Sequence, residues 1–127
     1  MAPTKKPKIL AVDLDGTILH YDDIDKPLGK PVEGIARELG AVKAAGWAII
    51  IWTVRSNTSD ISRHLKAHGI PFDYINENPW QPPEGGDKIA ANVYLDDRAI
   101  HFNGETQGLA EKILSFKPWY KDPPWAE

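Results

Sequence analysis

The sequence predicts an α/β fold: one three-layer, Rossmann-like domain with a mainly parallel central sheet and no cap domain. Short apolar, β-branched runs alternate along the chain with segments of helical apolar spacing, which is typical of parallel sheets covered by helices. The 127 residues suffice for one core and are too few for two. We therefore interpret residues 1–127 as a single domain, whose tail at 117–127 is rich in Pro and Trp.

Four apolar runs predict the strands of this sheet, at residues 8–13, 47–53, 72–76 and 92–97. The first two are almost wholly apolar until their last residue, as expected of strands that are covered on both faces. Three of the runs finish on polar side chains: Asp13, Thr53, and Asp96 with Asp97.

Three segments predict helices, at residues 31–45, 57–69 and 106–116. The first begins at Pro31 and stops at Gly46, which are residues that favour a helix start and a helix end. In the third, the spacing predicts an inward face formed by Leu109, Ala110, Ile113 and Leu114.

The composition excludes several classes of protein. The absence of cysteine excludes a disulfide scaffold, thiolate metal ligands and a cysteine nucleophile. The 15 basic and 18 acidic residues give a net charge of −3, and without a long basic block we expect neither nucleic-acid nor membrane binding. No apolar run approaches the roughly 18 residues of a membrane span, and no signal peptide is evident at the start, so we expect a cytoplasmic protein.

The acids at the strand ends predict a binding site. Parallel sheets bind ligands beyond the carboxyl ends of their strands, so one pocket can collect these groups, and Asp15 in "DLDGT" can join Asp13 if the chain turns at Gly16. Clustered carboxylates repel one another unless a cation intervenes, and a set made only of oxygen ligands suits Mg²⁺. Any one acid pair alone is more simply a turn or a solvated strand end, but the coincidence of several favours a magnesium site.

The same residues carry a resemblance to a known family. In order along the chain, "DLDGT", "IIIWT", Lys88 and "VYLDD" resemble the four motifs of the haloacid dehalogenase-like (HAD) superfamily, over residues 8–98. The second acid of "DLDGT" is typical of the phosphatases and phosphomutases of that superfamily. The resemblance implies hydrolysis of a small phosphorylated substrate through an aspartyl-phosphate, with Mg²⁺ as cofactor.

The resemblance also implies a role for each residue of the first motif. Asp13 would be the nucleophile and a ligand of Mg²⁺. Asp15 would be the general acid for the leaving group and then the base for water, and its backbone carbonyl would be a further metal ligand.

The later motifs would bind phosphate and metal. Thr53 would donate a hydrogen bond to the phosphoryl group, and the Lys88 ammonium would offset its negative charge. Asp96 would complete the metal shell, while Asp97 would be either a second ligand there or the residue that orients Lys88.

The stretches between the motifs are too short for a large cap, so the sequence predicts an open, capless site. A large substrate, a second subunit in a homo-oligomer, or the aromatic tail residues Trp119, Tyr120 and Trp125 could cover it. The acidic segment 22–25 lacks the Gly and the final Glu of a calcium loop, and we interpret it as a solvated flap tip.

Arg55 and Arg98 follow strand ends and are candidates for binding an anionic group on the substrate. The alternative for each is a surface charge or an ion pair with a nearby acid.

Two other functions of the protein stay open. One is a receiver-like signalling module that carries phospho-Asp, although the order of the motifs argues against it. The other is a catalytically silent binding domain.

Overall fold

The computed structural model describes residues 5–21 and 27–120. Four strands form one sheet with parallel neighbours, in the order β3-β2-β1-β4. The strands are β1 (Ile9–Val12), β2 (Ala48–Ile51), β3 (Tyr74–Ile75) and β4 (Val93–Leu95). The helices are α1 (Ile35–Ala44), α2 (Thr58–Ala67) and α3 (Leu109–Leu114). The predicted α/β class with a parallel central sheet is confirmed.

The two central strands form the middle of the core. Every residue of β1 and β2 is buried, because each strand lies between two others and both of its faces are covered. One face packs against apolar side chains of α1 and α2, which are Leu39, Ile61 and Leu65. The other face packs against Ile89, with Trp80 at its margin. The continuous apolar runs of the sequence therefore reflect burial on both faces.

The direction of the chain explains which layer covers which face. The connections from β1 to β2 and from β2 to β3 both lead towards the same edge of the sheet. Because crossovers between parallel strands are right-handed, the helices of these two connections, α1 and α2, lie on the same face. The connection from β3 to β4 leads to the opposite edge of the sheet. A right-handed crossover in that direction places residues 76–92 on the other face. The third layer of the domain is therefore a loop, anchored by the buried Ile89, and not a helix.

The first predicted helix is too long at its start. The sequence predicts residues 31–45, but α1 begins at Ile35 because Pro31 still forms an isolated bridge to the turn after β1. Gly34, just before the helix, has a φ of 85°, which is not helical. At the other end Gly46, with a φ of 92°, follows the helix as predicted.

The last third of the chain departs most from the prediction. The helix predicted at residues 106–116 is only the six-residue α3, and none of its residues is buried. The predicted inward face is wrong: Leu109 and Ala110 are not buried, and Ile113 and Leu114 are 57% and 87% exposed. β4 is an edge strand whose three residues are each more than 40% exposed. Helical spacing shows which side chains share a face, but it does not show that a surface is there to receive them.

Within the described residues, no helix is both long enough and apolar enough to cross a membrane. The predicted flap tip at 22–25 and the tail residue Trp125 lie outside the described residues.

Candidate metal centre

Three carboxylates meet at the carboxyl ends of two neighbouring strands. Asp13 follows β1, while Asp96 and Asp97 follow β4, which pairs with β1 in parallel. The ladder continues past the end of β1, because the backbone N–H of Asp13 donates to the carbonyl oxygen of Leu95, the last residue of β4, at 2.9 Å. One carboxylate oxygen from each acid lies within 4.8 Å of the other two. The strand order also reverses between β1 and β4, because the chain moves from β1 to β2 and β3 on one side and returns to β4 on the other. Open α/β sheets bind ligands at such a point.

Asp13 has the most perturbed carboxyl group of the cluster. Burial raises the pKa of Asp13 from 3.8 to about 9, helped by its hydrogen bond with Asp97 and by the negative charges of Asp96 and Asp97. Such a carboxyl stays protonated at neutral pH until something offsets the surrounding negative charge.

Asp97 is held by several hydrogen bonds at once. Its side chain is only 3% exposed; Oδ1 accepts a hydrogen bond from the Thr17 hydroxyl at 3.1 Å, and Oδ2 accepts one from the Tyr120 hydroxyl. Burial raises the pKa of Asp97, but the hydrogen bonds with Asp13, Tyr120 and Thr17 outweigh burial, and the pKa is lowered. Burial, followed by the bond to Asp97, raises the pKa of Tyr120, so this hydroxyl remains a donor. Asp13 therefore holds the proton of the pair, and Asp97 carries the charge.

Asp96 is the exposed member of the cluster. Its Oδ1 accepts the backbone N–H of Arg98 at 2.8 Å, which closes a short turn after β4. The side chain of Arg98 turns towards Asp97 and Tyr120, with Nε 4.0 Å from Asp97 Oδ2 and the guanidinium 5.7 Å from the Tyr120 ring centre. The ion-pair alternative for Arg98 thus matches its position in this structure.

The carboxylate of Asp15 lies apart from the three-acid cluster. Arg55 donates to both of its oxygens, from Nε at 2.7 Å and from Nη2 at 3.0 Å. The two side chains are 9% and 6% exposed, so this is a buried, bidentate ion pair. In this structure Arg55 therefore pairs with an acid of its own chain, and the Asp15 side chain faces a guanidinium. This ion pair involves the Asp15 side chain, so it does not affect the role predicted for the Asp15 backbone carbonyl as a metal ligand.

Thr53 lies on a loop that Asn76 holds in place. The backbone N–H of Thr53 donates to Asn76 Oδ1 at 2.8 Å, and Thr53 Oγ1 accepts the backbone N–H of Arg55 at 3.2 Å. Asn76 has a φ of 56°, in the left-handed region that Asn tolerates better than most residues. Sequence reasoning missed Asn76, although an Asn directly after a short strand is a recognisable turn signal.

Lys88 is exposed and lies at the mouth of a cleft. Its ammonium is 5.0 Å from the ring centre of Tyr94. It lines a cleft of about 840 Å³ together with Asp13 and Asp96. Lys88 thus shares a cleft with two of the acids, while Thr53 lies on the neighbouring loop beside Arg55.

The aromatic tail contributes to this centre in a way that the sequence did not specify. Trp119 Nε1 donates to the carbonyl oxygen of Gly16 at 2.8 Å, and Tyr120 binds Asp97. Thr17, the last residue of "DLDGT", also binds Asp97 and had no assigned role. The only sequence signal for the tail was its wealth of aromatic residues.

Two solved structures resemble the chain as a whole. A conserved protein from Bacteroides thetaiotaomicron is 20% identical, with a TM-score of 0.65 over 86% of this chain and 90% of that one. A target protein from Vibrio cholerae, known from its crystal structure, is 25% identical, with a TM-score of 0.50 over 87% and 89% of the two chains. Neither description states an activity, and these likenesses support the fold. No family model and no curated protein matches the chain.

Proposed function

We propose that the protein is a Mg²⁺-dependent phosphomonoester hydrolase of the HAD type, which acts through an aspartyl-phosphate. The observation that supports this most is the convergence of Asp13, Asp96 and Asp97 within 4.8 Å of one another. These are the side chains to which the resemblance assigns the nucleophile and the metal ligands.

The chemistry of the cluster fits a hard divalent cation. All three donors are carboxylate oxygens, which Mg²⁺ prefers over nitrogen or sulfur ligands. The negative charges that raise the pKa of Asp13 are those that a cation at this position would offset. Bound there, Mg²⁺ would supply positive charge against the oxygens of the phosphoryl group.

Asp13 is the proposed nucleophile. One of its carboxylate oxygens bonds to phosphorus while the bond from phosphorus to the leaving oxygen breaks. A water oxygen then bonds to phosphorus, the bond to Asp13 breaks, and inorganic phosphate departs. The leaving oxygen must gain a proton in the first step, and the water must lose one in the second.

Asp15 is the proposed carrier of both protons, and its contact with Arg55 sets a condition on that role. Both of its oxygens accept hydrogen bonds from the guanidinium, so the leaving oxygen has to approach a carboxylate that Arg55 also holds. Thr53 and Lys88 are the proposed donors to the phosphoryl oxygens. Of the two, Lys88 lines the same cleft as Asp13.

The proposed substrate is a small phosphorylated metabolite, nucleotide or sugar in the cytoplasm. Because no cap is predicted, a second copy of the chain is the proposed cover for the open site. Both parts of the proposal rest on the residue pattern and the composition.

Release of phosphate from an aryl phosphate tests the proposal. We expect turnover with Mg²⁺, loss of turnover in EDTA, and loss of turnover in Asp13→Asn with the fold retained. Asp60→Asn makes the same chemical change in an exposed ion pair on α2 and should keep the activity. Wild-type turnover in folded Asp13→Asn would show that Asp13 is not the nucleophile.

A panel of phosphorylated metabolites then identifies the substrate. Turnover that is equal with Mg²⁺ and with EDTA would contradict the metal-dependent mechanism.

A further inference from the structure

We propose that Tyr120 is a positioning residue for Asp97, so that the C-terminal segment of the chain completes the candidate metal centre. This inference rests on the proposed function, since it concerns the Mg²⁺ site of the same reaction. It assigns Tyr120 no contact with substrate or with the reacting atoms. It also gives part of the aromatic tail a task more specific than covering an open site.

The hydrogen bonds that Asp97 accepts are the first support for the inference. Its two carboxylate oxygens are held from different directions, Oδ1 by the Thr17 hydroxyl and Oδ2 by the Tyr120 hydroxyl. Two bonds to separate oxygens fix both the direction and the tilt of the carboxylate plane. A carboxylate has about four acceptor positions, so two remain for a cation or for a neighbouring acid.

The ring of Tyr120 is itself held in place by its neighbours. It stacks on Tyr21 with ring centres 5.5 Å apart and planes 3° apart, and Arg98 lies over it at 5.7 Å. The neighbouring Trp119 ring meets it edge-on at 5.7 Å and is fastened to the Gly16 carbonyl. The hydroxyl thus reaches Asp97 from a ring that does not depend on that one bond for its position.

Gly16, which lies next to the contact between Tyr120 and Asp97, provides independent support. A Cβ at this position would come within 2.5 Å of Asp97 Oδ2 and 2.7 Å of Tyr120 Cε1. The first motif therefore leaves space for these two side chains to meet. The glycine serves the contact as well as the turn, for which its φ of 87° already requires it.

Hydrogen-bond partners that orient metal ligands are worth about 10- to 100-fold in metal affinity. We therefore expect Tyr120→Phe to weaken Mg²⁺ binding by roughly that factor, because the ring and its stacking stay while the donor is lost. Once Mg²⁺ is saturating, kcat should stay near the wild-type value, since Tyr120 does not touch the reacting atoms.

Isothermal titration with MgCl₂ alone, at one neutral pH, measures this affinity without reference to any activity. Tyr74→Phe on β3 is the matched control and should bind as the wild type does. In an Asp97→Ala background, Tyr120→Phe should have no further effect, because the tyrosine acts through that carboxylate. If the aromatic substitution prevents folding, Thr17→Val removes the companion bond and should weaken Mg²⁺ binding in the same direction.

The outcomes separate the two proposals. If the wild type binds Mg²⁺ and folded Tyr120→Phe binds it equally well, the positioning role is wrong and the proposed function stands. An additional loss in the Asp97→Ala background would also overturn the positioning role. If the wild type binds no Mg²⁺, the proposed function fails, and the role of Tyr120 fails with it.

Discussion

The ion pair between Asp15 and Arg55 makes a quantitative prediction about stability. Both side chains are less than a tenth exposed, and two hydrogen bonds of 2.7 and 3.0 Å join them. Arg55→Met keeps most of the apolar stem but leaves the Asp15 carboxylate buried without its partner. Breaking a buried pair from one side costs about 3–5 kcal/mol of the free energy of unfolding.

That loss is large for a domain of this length. Each kcal/mol shifts the melting temperature of a domain of about this size by roughly 4 °C, so the variant should melt roughly 12–20 °C lower than the wild type. Total stabilities of native domains are about 5–15 kcal/mol, so a sizeable part of the stability depends on this one pair.

A double-mutant cycle isolates the interaction. Urea unfolding followed by circular dichroism gives the free energy of unfolding for wild type, Arg55→Met, Asp15→Leu and the double variant. The double variant should be more stable than Arg55→Met alone, because it removes the orphaned carboxylate as well.

A loss below about 1 kcal/mol for Arg55→Met, with no coupling to Asp15, would refute this reasoning. If Arg55→Met keeps its stability but lowers kcat/KM only for substrates with a second anionic group, Arg55 binds substrate, as its position in the sequence predicts.

Three further predictions concern the metal centre. Because the pKa of Asp13 is raised from 3.8 to about 9, the folded protein holds a proton that the unfolded chain loses across that range. In EDTA the free energy of unfolding should therefore fall as pH rises from about 4 to about 9, and urea titrations of Asp13→Asn should lack this component. Saturating Mg²⁺ should raise the melting temperature, and a thermal scan of Asp96→Ala should show a smaller rise; an equal rise would remove Asp96 from the metal shell. Gly16→Ala should lose stability and weaken Mg²⁺ binding in calorimetry, whereas Gly46→Ala, with a similar φ of 92° and no atom within 4 Å of its added Cβ, should lose stability only.

The central sheet and the meeting of the strand-end acids were predictable from the sequence. β1 and β2 are apolar at every position, which is typical of a strand covered on both faces. Once the strands are parallel, their carboxyl ends share one edge, so Asp13 and the pair Asp96 and Asp97 come together without any knowledge of side-chain packing.

The partners of the other polar residues were not predictable in the same way. Arg55 is 40 residues from Asp15, and its position past a strand end suits a substrate contact as well as an ion pair. Tyr120 is 23 residues from Asp97 and lies in a tail with no regular periodicity. The exposed face of α3 shows the same limit, since spacing alone did not show that Ile113 and Leu114 are exposed.

The residue pattern alone predicts the α/β class, the buried central strands and the edge of the sheet at which the acids meet. These follow from local apolar patterns and from the geometry of parallel strands, which any chain with this pattern must obey. Three features are visible only in the folded chain: Asp15 pairs with Arg55, Tyr120 binds Asp97, and a loop forms the third layer. Each of these depends on how distant segments pack, and a long polar side chain can satisfy its hydrogen bonds equally well with several partners until packing brings one of them within 3 Å.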